Sequence, residues 1–291
     1  MPRWFFFTLL AVLCWGIWAV LSKGLGDSLT AVQSQALSTL GLLPVLVALG
    51  RRRGSSQTGN RRRGSLLAFL AGALTCGGNV AYYQALNVGG KASTVVPLTA
   101  LYPLVTIVLA VTFLRERLNR VQLCGIGVSL IAIYLFNVPS IAGTLNPWLV
   151  YALIPISLWG ASGLVQKVST HHISGELSAF WFLAAFIPVG VGLLIFNPLV
   201  APIAFKVWLL VIGLGLFFSL GNYAILRAFA MNGKASVIAP LAGLYPVVSV
   251  PLAIGLLGET VSPREIAGIL LALISVVALS FETICTSEHP L

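Results

Sequence analysis

From position 4 to position 282 the chain is divided into ten apolar runs, at 4–23, 31–50, 66–88, 92–114, 121–138, 148–168, 177–197, 205–230, 235–258 and 264–282. Charges and clusters of Gly, Pro and Asn separate them. Most runs approach the ~20 residues that a helix needs to cross ~30 Å of hydrocarbon. Lipid offers no partner to a bare N–H or C=O, so each run must close its hydrogen bonds within itself, as a helix does. Barrel strands would alternate apolar and polar residues over about ten positions, and these runs are continuous. Composition agrees, with 8% charged residues against roughly a quarter in a soluble domain. The expectation is an all-α integral membrane protein of ten transmembrane helices, with the lipid bilayer as its surroundings.

The runs are not independent. Gly90-Lys91-Ala92-Ser93 recurs as Gly233-Lys234-Ala235-Ser236, Pro97-Leu98 as Pro240-Leu241, and Leu101-Tyr102-Pro103 as Leu244-Tyr245-Pro246. Gly78-Asn79, Glu116 and Gly125 recur as Gly221-Asn222, Glu259 and Gly268, every pair 143 residues apart. Trp15-Gly16 and Lys23 recur as Trp159-Gly160 and Lys167 at a spacing of 144, so one insertion separates the two registers. Self-similarity of this kind marks a duplicated unit. The first unit is expected over 1–138, with an arginine-rich loop at 51–63, and the second over 147–282, followed by a short tail at 283–291. Each unit holds five helices. Five is odd, so the second unit enters from the opposite side and the repeats are inverted.

Basic residues orient the bundle. With the N-terminus in the cytoplasm, 13 of the 17 Lys and Arg fall on the inner side, six of them in Arg51-Arg52-Arg53 and Arg61-Arg62-Arg63. Lys23, Lys91, Lys206 and Arg264 fall outside. Both termini are then cytoplasmic, in what is expected to be the cell (inner) membrane. The net charge of +10 is a topology signal, since no basic stripe runs along a soluble face and no nucleic acid partner is implied. Arg3 and the apolar stretch after it resemble a signal peptide, but no small-x-small cleavage site follows and the segment recurs in mid-chain. Cys14, Cys76, Cys124 and Cys285 show neither CxxC nor metal spacing and read as small core residues, with no metal or cofactor implied. No HExxH, GxSxG or Walker motif is present, and no acid or histidine stands at depth beside a nucleophile, so the chain does not read as an enzyme.

Polar groups inside apolar runs are costly and mark candidate sites. In the third run Thr75, Asn79, Tyr82 and Leu86 share a helix face, with Tyr83 beside them; in the eighth the matching set is Phe218, Asn222, Ile225 and Phe229. Asn79 and Asn222 either meet a substrate or join two helices by a hydrogen bond. Trp15, Trp18 and Ser22 share a face of the first run, and Trp159, Ser162 and Gln166 repeat it. An indole offers an apolar body and one donor, which suits a cavity wall. Trp18, nearer the outer end, also reads as an interfacial anchor. Tyr102 and Tyr245 precede Pro103 and Pro246, which deprive the Thr99 and Ala242 carbonyls of their helical N–H and predict a bend. Lys91 and Lys234 read as helix-end anchors or gate charges, and Glu116 and Glu259 as helix-end structure. None of the seven acids lies near the middle of a run, which favours facilitated movement or exchange over proton pumping.

The motif Gly-Lys-Ala-Ser, Pro, Tyr-Pro, then Leu114-Arg115-Glu116-Arg117-Leu118 or Leu257-Gly258-Glu259-Thr260, then a Gly-containing helix, resembles the drug/metabolite transporter superfamily, specifically proteins with two EamA-type repeats. The resemblance spans nearly the whole chain. It implies a ten-helix secondary transporter that exports or exchanges small organic metabolites such as amino acids. It also implies alternating access around a central cavity lined by the first, third and fourth helices of each half. The residues expected to meet the small-molecule substrate are Trp15, Asn79, Tyr82, Tyr83, Tyr102, Trp159, Gln166, Asn222 and Tyr245, with Pro103 and Pro246 as kinks. Aromatic walls without deep charges favour a neutral or zwitterionic, partly apolar solute. The alternative is a non-transporting membrane component, such as a subunit of a lipid-modifying complex or a sensor, for which a fully packed interior is expected.

Overall fold

A computed structural model describes residues 3–51, 59–114, 118–136, 146–199, 202–230 and 241–279. Glu116, Lys234 and Pro240 lie outside these residues. The helices are α1 (Arg3–Gly24), α2 (Ala31–Arg51), α3 (Arg61–Asn87), α4 (Ala92–Thr99), α5 (Pro103–Leu114), α6 (Arg120–Phe136), α7 (Pro147–Thr170), α8 (Gly175–Ala184), α9 (Phe186–Phe196), α10 (Phe205–Ala230), α11 (Pro246–Leu257) and α12 (Pro263–Leu279). The pairs α4–α5 and α8–α9 each continue one crossing, as Ala92–Phe113 and Gly175–Phe196. Seven spans are long and apolar enough to cross a membrane, and shorter apolar helices at Arg120–Phe136, Leu241–Leu257 and Pro263–Leu279 occupy the other three runs. Among the described residues the architecture is all-helical, with ten crossings in two inverted sets of five.

Side chains decide where helices begin. Asn60 accepts from Arg63 N at 3.1 Å and opens α3, and Ser174 accepts from Leu177 N and opens α8. The starts of α6 and α12 are matched capping boxes. Asn119 and Gln122 exchange backbone-to-side-chain bonds at 3.1 and 2.8 Å, and Ser262 and Glu265 do so at 2.7 and 3.3 Å. Each box satisfies two N–H groups that a helix start leaves open.

The packing is two-fold in pattern. The pair α3–α7 is matched by α10–α1, the pair α5–α7 by α11–α1, and α6 meets its own counterpart α12. Glycine makes the close approaches, because lipid gives apolar helices little reason to associate except tight fit. A Cβ on Gly72 would strike the Phe182 carbonyl, and one on its mate Gly215 would strike the Ser38 carbonyl. A Cβ on Gly16 would lie 2.6 Å from Val248 Cβ, and one on Gly160 would lie 2.6 Å from Val105 Cβ. Gly125 and Gly268 face Leu279 and Phe136 in the same reciprocal way. The outer surface carries large apolar side chains in the open, among them Phe113, Ile195, Phe205 and Leu256. Such a surface suits lipid rather than water.

Candidate functional site

A central cavity of about 150 Å3 lies between the halves. Its walls come from Trp15 and Trp18 on α1, Thr75 on α3, Tyr102, the α7 residues Trp159, Ser162, Gly163 and Gln166, Phe182 on α8, Phe218 and Asn222 on α10, and Tyr245. The first, third and fourth helices of each half thus all contribute, and α8 adds Phe182. No charged side chain is among these lining residues. Among the described residues no group of three or more His, Cys, Asp or Glu is gathered to hold a metal.

Two matched aromatic corners frame the cavity. Trp15 meets Tyr245 edge-on at 6.3 Å and 82°, and Trp159 meets Tyr102 edge-on at 6.4 Å and 83°. Each tyrosine is held where its crossing breaks. Before Pro103 and Pro246 the α-helix gives way to a tight turn, in which Tyr102 N donates to Thr99 O at 3.1 Å and Tyr245 N to Ala242 O at 3.4 Å. The Thr99 and Ala242 carbonyls, expected to be free, are therefore partnered; the turn tightens to three-residue bonds and supplies the missing donor. Thr106 reaches across to donate to Gly160 O at 2.9 Å and fixes the bend against α7.

Each indole edge also lies against a glycine. A Cβ on Gly78 would lie 2.5 Å from Trp159 Nε1, and a Cβ on Gly221 would collide with the same edge of Trp15. At the first of these contacts Trp159 Nε1 donates to Asn79 Oδ1 at 3.1 Å. At the second the bond is not made. Asn222 donates to Phe218 O on its own helix at 2.8 Å, and the buried Trp15 Nε1 has no partner among the described residues.

Of the residues expected to meet substrate, Trp15, Tyr102, Trp159, Gln166, Asn222 and Tyr245 are brought together on the cavity wall. Asn79, Tyr82 and Tyr83 are not; they are packed behind it, buried at 2%, 0% and 2% exposure. Tyr82 donates to Ala19 O at 3.2 Å and stacks on Trp18 at 5.0 Å and 21°. Trp18 is no interfacial anchor: it is 4% exposed, central, and part of the wall. Thr75 and Ser162, which sequence reasoning left out, have hydroxyls 2.8 Å apart with Ala71 O within 2.9 Å of both, so that one hydroxyl donates to the other, which donates to Ala71 O. Helix-face spacing groups Thr75 with Asn79, and Ser162 with Gln166, so that signal was present. Phe182 gave none, because its mate is Ser38.

The two ends of the bundle differ. Where α2 ends and α3 begins, Arg51 and Arg61–Arg63 gather at one end. Gln166 lies toward this end, one turn from Ser169, which donates to Gly64 O at 2.9 Å. At the same end Arg227 pairs with Glu176 at 2.9 Å. Toward the opposite end Trp18, which lines the cavity, packs against Tyr82 and Tyr83. Beyond it Lys91 pairs with Glu265 at 3.0 Å and donates to Thr260 O at 2.8 Å. Glu259 accepts from Ala92 N and Ser93 N at 2.8 Å each, so its charge faces the start of α4, where the helix dipole favours it. Lys23 donates to Leu86 O and Gly90 O at 2.8 and 2.9 Å and holds α1 against the end of α3.

The comparisons agree with this architecture. A solved crystal structure 17% identical to this chain superposes with a TM-score of 0.63 over 94% of each chain, a likeness of fold. Uncharacterized protein MJ1333.1 of Methanocaldococcus jannaschii is 38% identical over 71 residues, which is 24% of this chain and about half (51%) of that protein's length. The model of the EamA-like transporter family matches residues 2–138 and again 146–281. A match over both halves makes this an integral, multi-pass membrane protein, and the chain belongs to the EamA-like transporter family.

Proposed function

We propose that the chain is a secondary transporter that exports or exchanges small neutral or zwitterionic organic metabolites, amino acids among them, by alternating access around the central cavity. The observation that carries this reading is a cavity between two matched halves, walled by both, with aromatic corners and no lining charge. An isolated charge entering such a site would lose its hydration without a counter-charge, whereas a neutral or zwitterionic solute loses less. Inverted repeats with a site at their interface are the usual architecture of such carriers. The cavity also speaks against a fully packed, non-transporting component, and nothing in its wall supplies a nucleophile with a base, as an enzyme would need.

On this reading the cavity opens toward the arginine-rich end, where Gln166 lies, and is covered at the other by Trp18, Tyr82 and Tyr83. With the arginines in the cytoplasm of the inner membrane, this is the inward-facing form, and both termini are cytoplasmic. The test is uptake of a panel of radiolabelled neutral amino acids into proteoliposomes, without and with unlabelled solute inside. Saturable uptake, stimulated by internal solute, is the expected result. Strict dependence on an imposed proton gradient would overturn exchange as the mechanism, and no uptake of any solute would overturn the transporter reading.

A further inference from the structure

On the cavity wall two matched contacts of the same form differ in their hydrogen bonds; Trp18 Nε1 is also buried and unmet among the described residues, but its mate is Ser162, so it has no matching indole bond to compare. The contacts Gly78–Trp159 and Gly221–Trp15 have the same form, with an indole N–H edge pressed to a glycine just ahead of an asparagine. In one the indole donates to Asn79 Oδ1. In the other, among the described residues, Trp15 Nε1 is buried without a partner and Asn222 donates its amide to Phe218 O. Both indoles line the cavity, but of the two asparagines Asn222 lines it and Asn79 does not. A buried donor left unmet is a cost that the right ligand relieves. A ligand that only filled space would leave that cost standing.

We infer that Trp15 and Asn222 are the polar recognition pair of the cavity, and that its ligand places a hydrogen-bond acceptor on the Trp15 N–H and a donor on Asn222 Oδ1, standing in for the bond that joins Trp159 to Asn79. The ligand class is a compact, partly apolar molecule with an acceptor group and a donor group attached to the same carbon. The α-carboxylate and α-ammonium of a neutral amino acid meet this description, and neither group alone does. Thr75 and Ser162 already bond each other and Ala71 O, so they are poorer candidates for this role. The inference rests on the transporter reading above and deepens it.

The test uses the full chain in proteoliposomes with L-leucine, 3-methylbutylamine, which lacks the acceptor, and 4-methylpentanoate, which lacks the donor, as competing probes. Wild type should prefer L-leucine to each analogue. Trp15→Phe should reduce the preference over 3-methylbutylamine by about tenfold or more, and Asn222→Ala should do the same for 4-methylpentanoate, the factor a hydrogen bond to a charged group commands. The charge of each analogue enters wild type and variant alike, so it cancels in the ratio. Both variants must remain monodisperse in detergent; Trp15→Tyr and Asn222→Ser replace either one that does not. Unchanged ratios in both would overturn the pair while leucine uptake left the transporter reading standing. Wild type that carries another solute but not leucine overturns the inference alone, and wild type that carries nothing overturns both.

Discussion

Trp18 and Tyr82 stack 5.0 Å apart across α1 and α3, and at the matching positions of α7 and α10 stand Ser162 and Ile225. The backbone frame at the two places is alike, since the reciprocal glycine contacts hold in both halves. The side chains are not. In the first half two large rings meet and Tyr83 packs behind them. In the second a hydroxyl replaces an indole and an aliphatic chain replaces a phenol. Ser162 and Gln166 line the cavity toward one end, and Trp18, backed by Tyr82, lines it toward the other. Duplication thus supplied a symmetric frame, and a few side chains make its two ends unlike.

The frame itself should break first. Gly215→Val forces a branched side chain into the Ser38 carbonyl. The obstacle is backbone, which cannot swing aside, so the cost should exceed the 1–3 kcal/mol typical of overpacked cores. Loss of monodisperse protein in detergent is the expected outcome. Gly72→Val should do the same through Phe182, and a large difference between the two would show that the halves are not equivalent in packing. The next effect falls on transport. Ser162→Trp gives the second half the residue of the first and should fill the cavity and abolish uptake. Trp18→Ser with Tyr82→Ile is the reciprocal change and should open the covered end. Labelling of a cysteine placed at Ser22 by an impermeant reagent should then rise severalfold.

The asparagines sharpen the contrast. Asn79→Ala leaves the Trp159 N–H without its acceptor and should cost about 1–3 kcal/mol of stability. Asn222→Ala removes only a bond to its own helix, at Phe218 O, and should cost less. Uptake should show the reverse order. A thermal-unfolding series in detergent and a KM series would reveal whether stability and binding separate in this way.

Much of this was legible in the residues. The 143-residue register paired the halves, and the odd number of runs inverted them. Spacing along a helix placed Asn79, Tyr82 and Thr75 on one face, but a face is shared between neighbours. Asn79 and Tyr82 turn to Trp159 and Ala19, and only Thr75 meets the cavity. The register also treats Asn79 and Asn222 as equals, because it carries no information about which rotamer each adopts. Phe182 was hidden for a related reason. Its mate is Ser38, and a repeat draws attention to what is shared when the cavity is shaped by what differs.

The smallest effect concerns the covered end. Lys91 and Glu265 join the starts of α4 and α12 there. The register pairs Lys91 with Lys234 and Glu265 with Gln122, so the matching pair of positions keeps the cation and lacks the acid. Gln122 has other work, donating to Leu279 O at 3.3 Å and accepting from Asn119 N. Glu265→Gln would make the two ends alike. The Lys91 side chain is 40% exposed, so water screens the pair and its worth is at most about 1 kcal/mol. The capping bonds to Ser262 survive in the variant, because glutamine fills the same role at the matching position. The expected change is therefore a shift between open forms of up to about fivefold, with little loss of fold. Cysteine labelling from the Lys91 side should rise in Glu265→Gln, and in wild type should rise with salt. A variant that labels like wild type at every salt concentration would show that the aromatic cluster alone keeps this end shut.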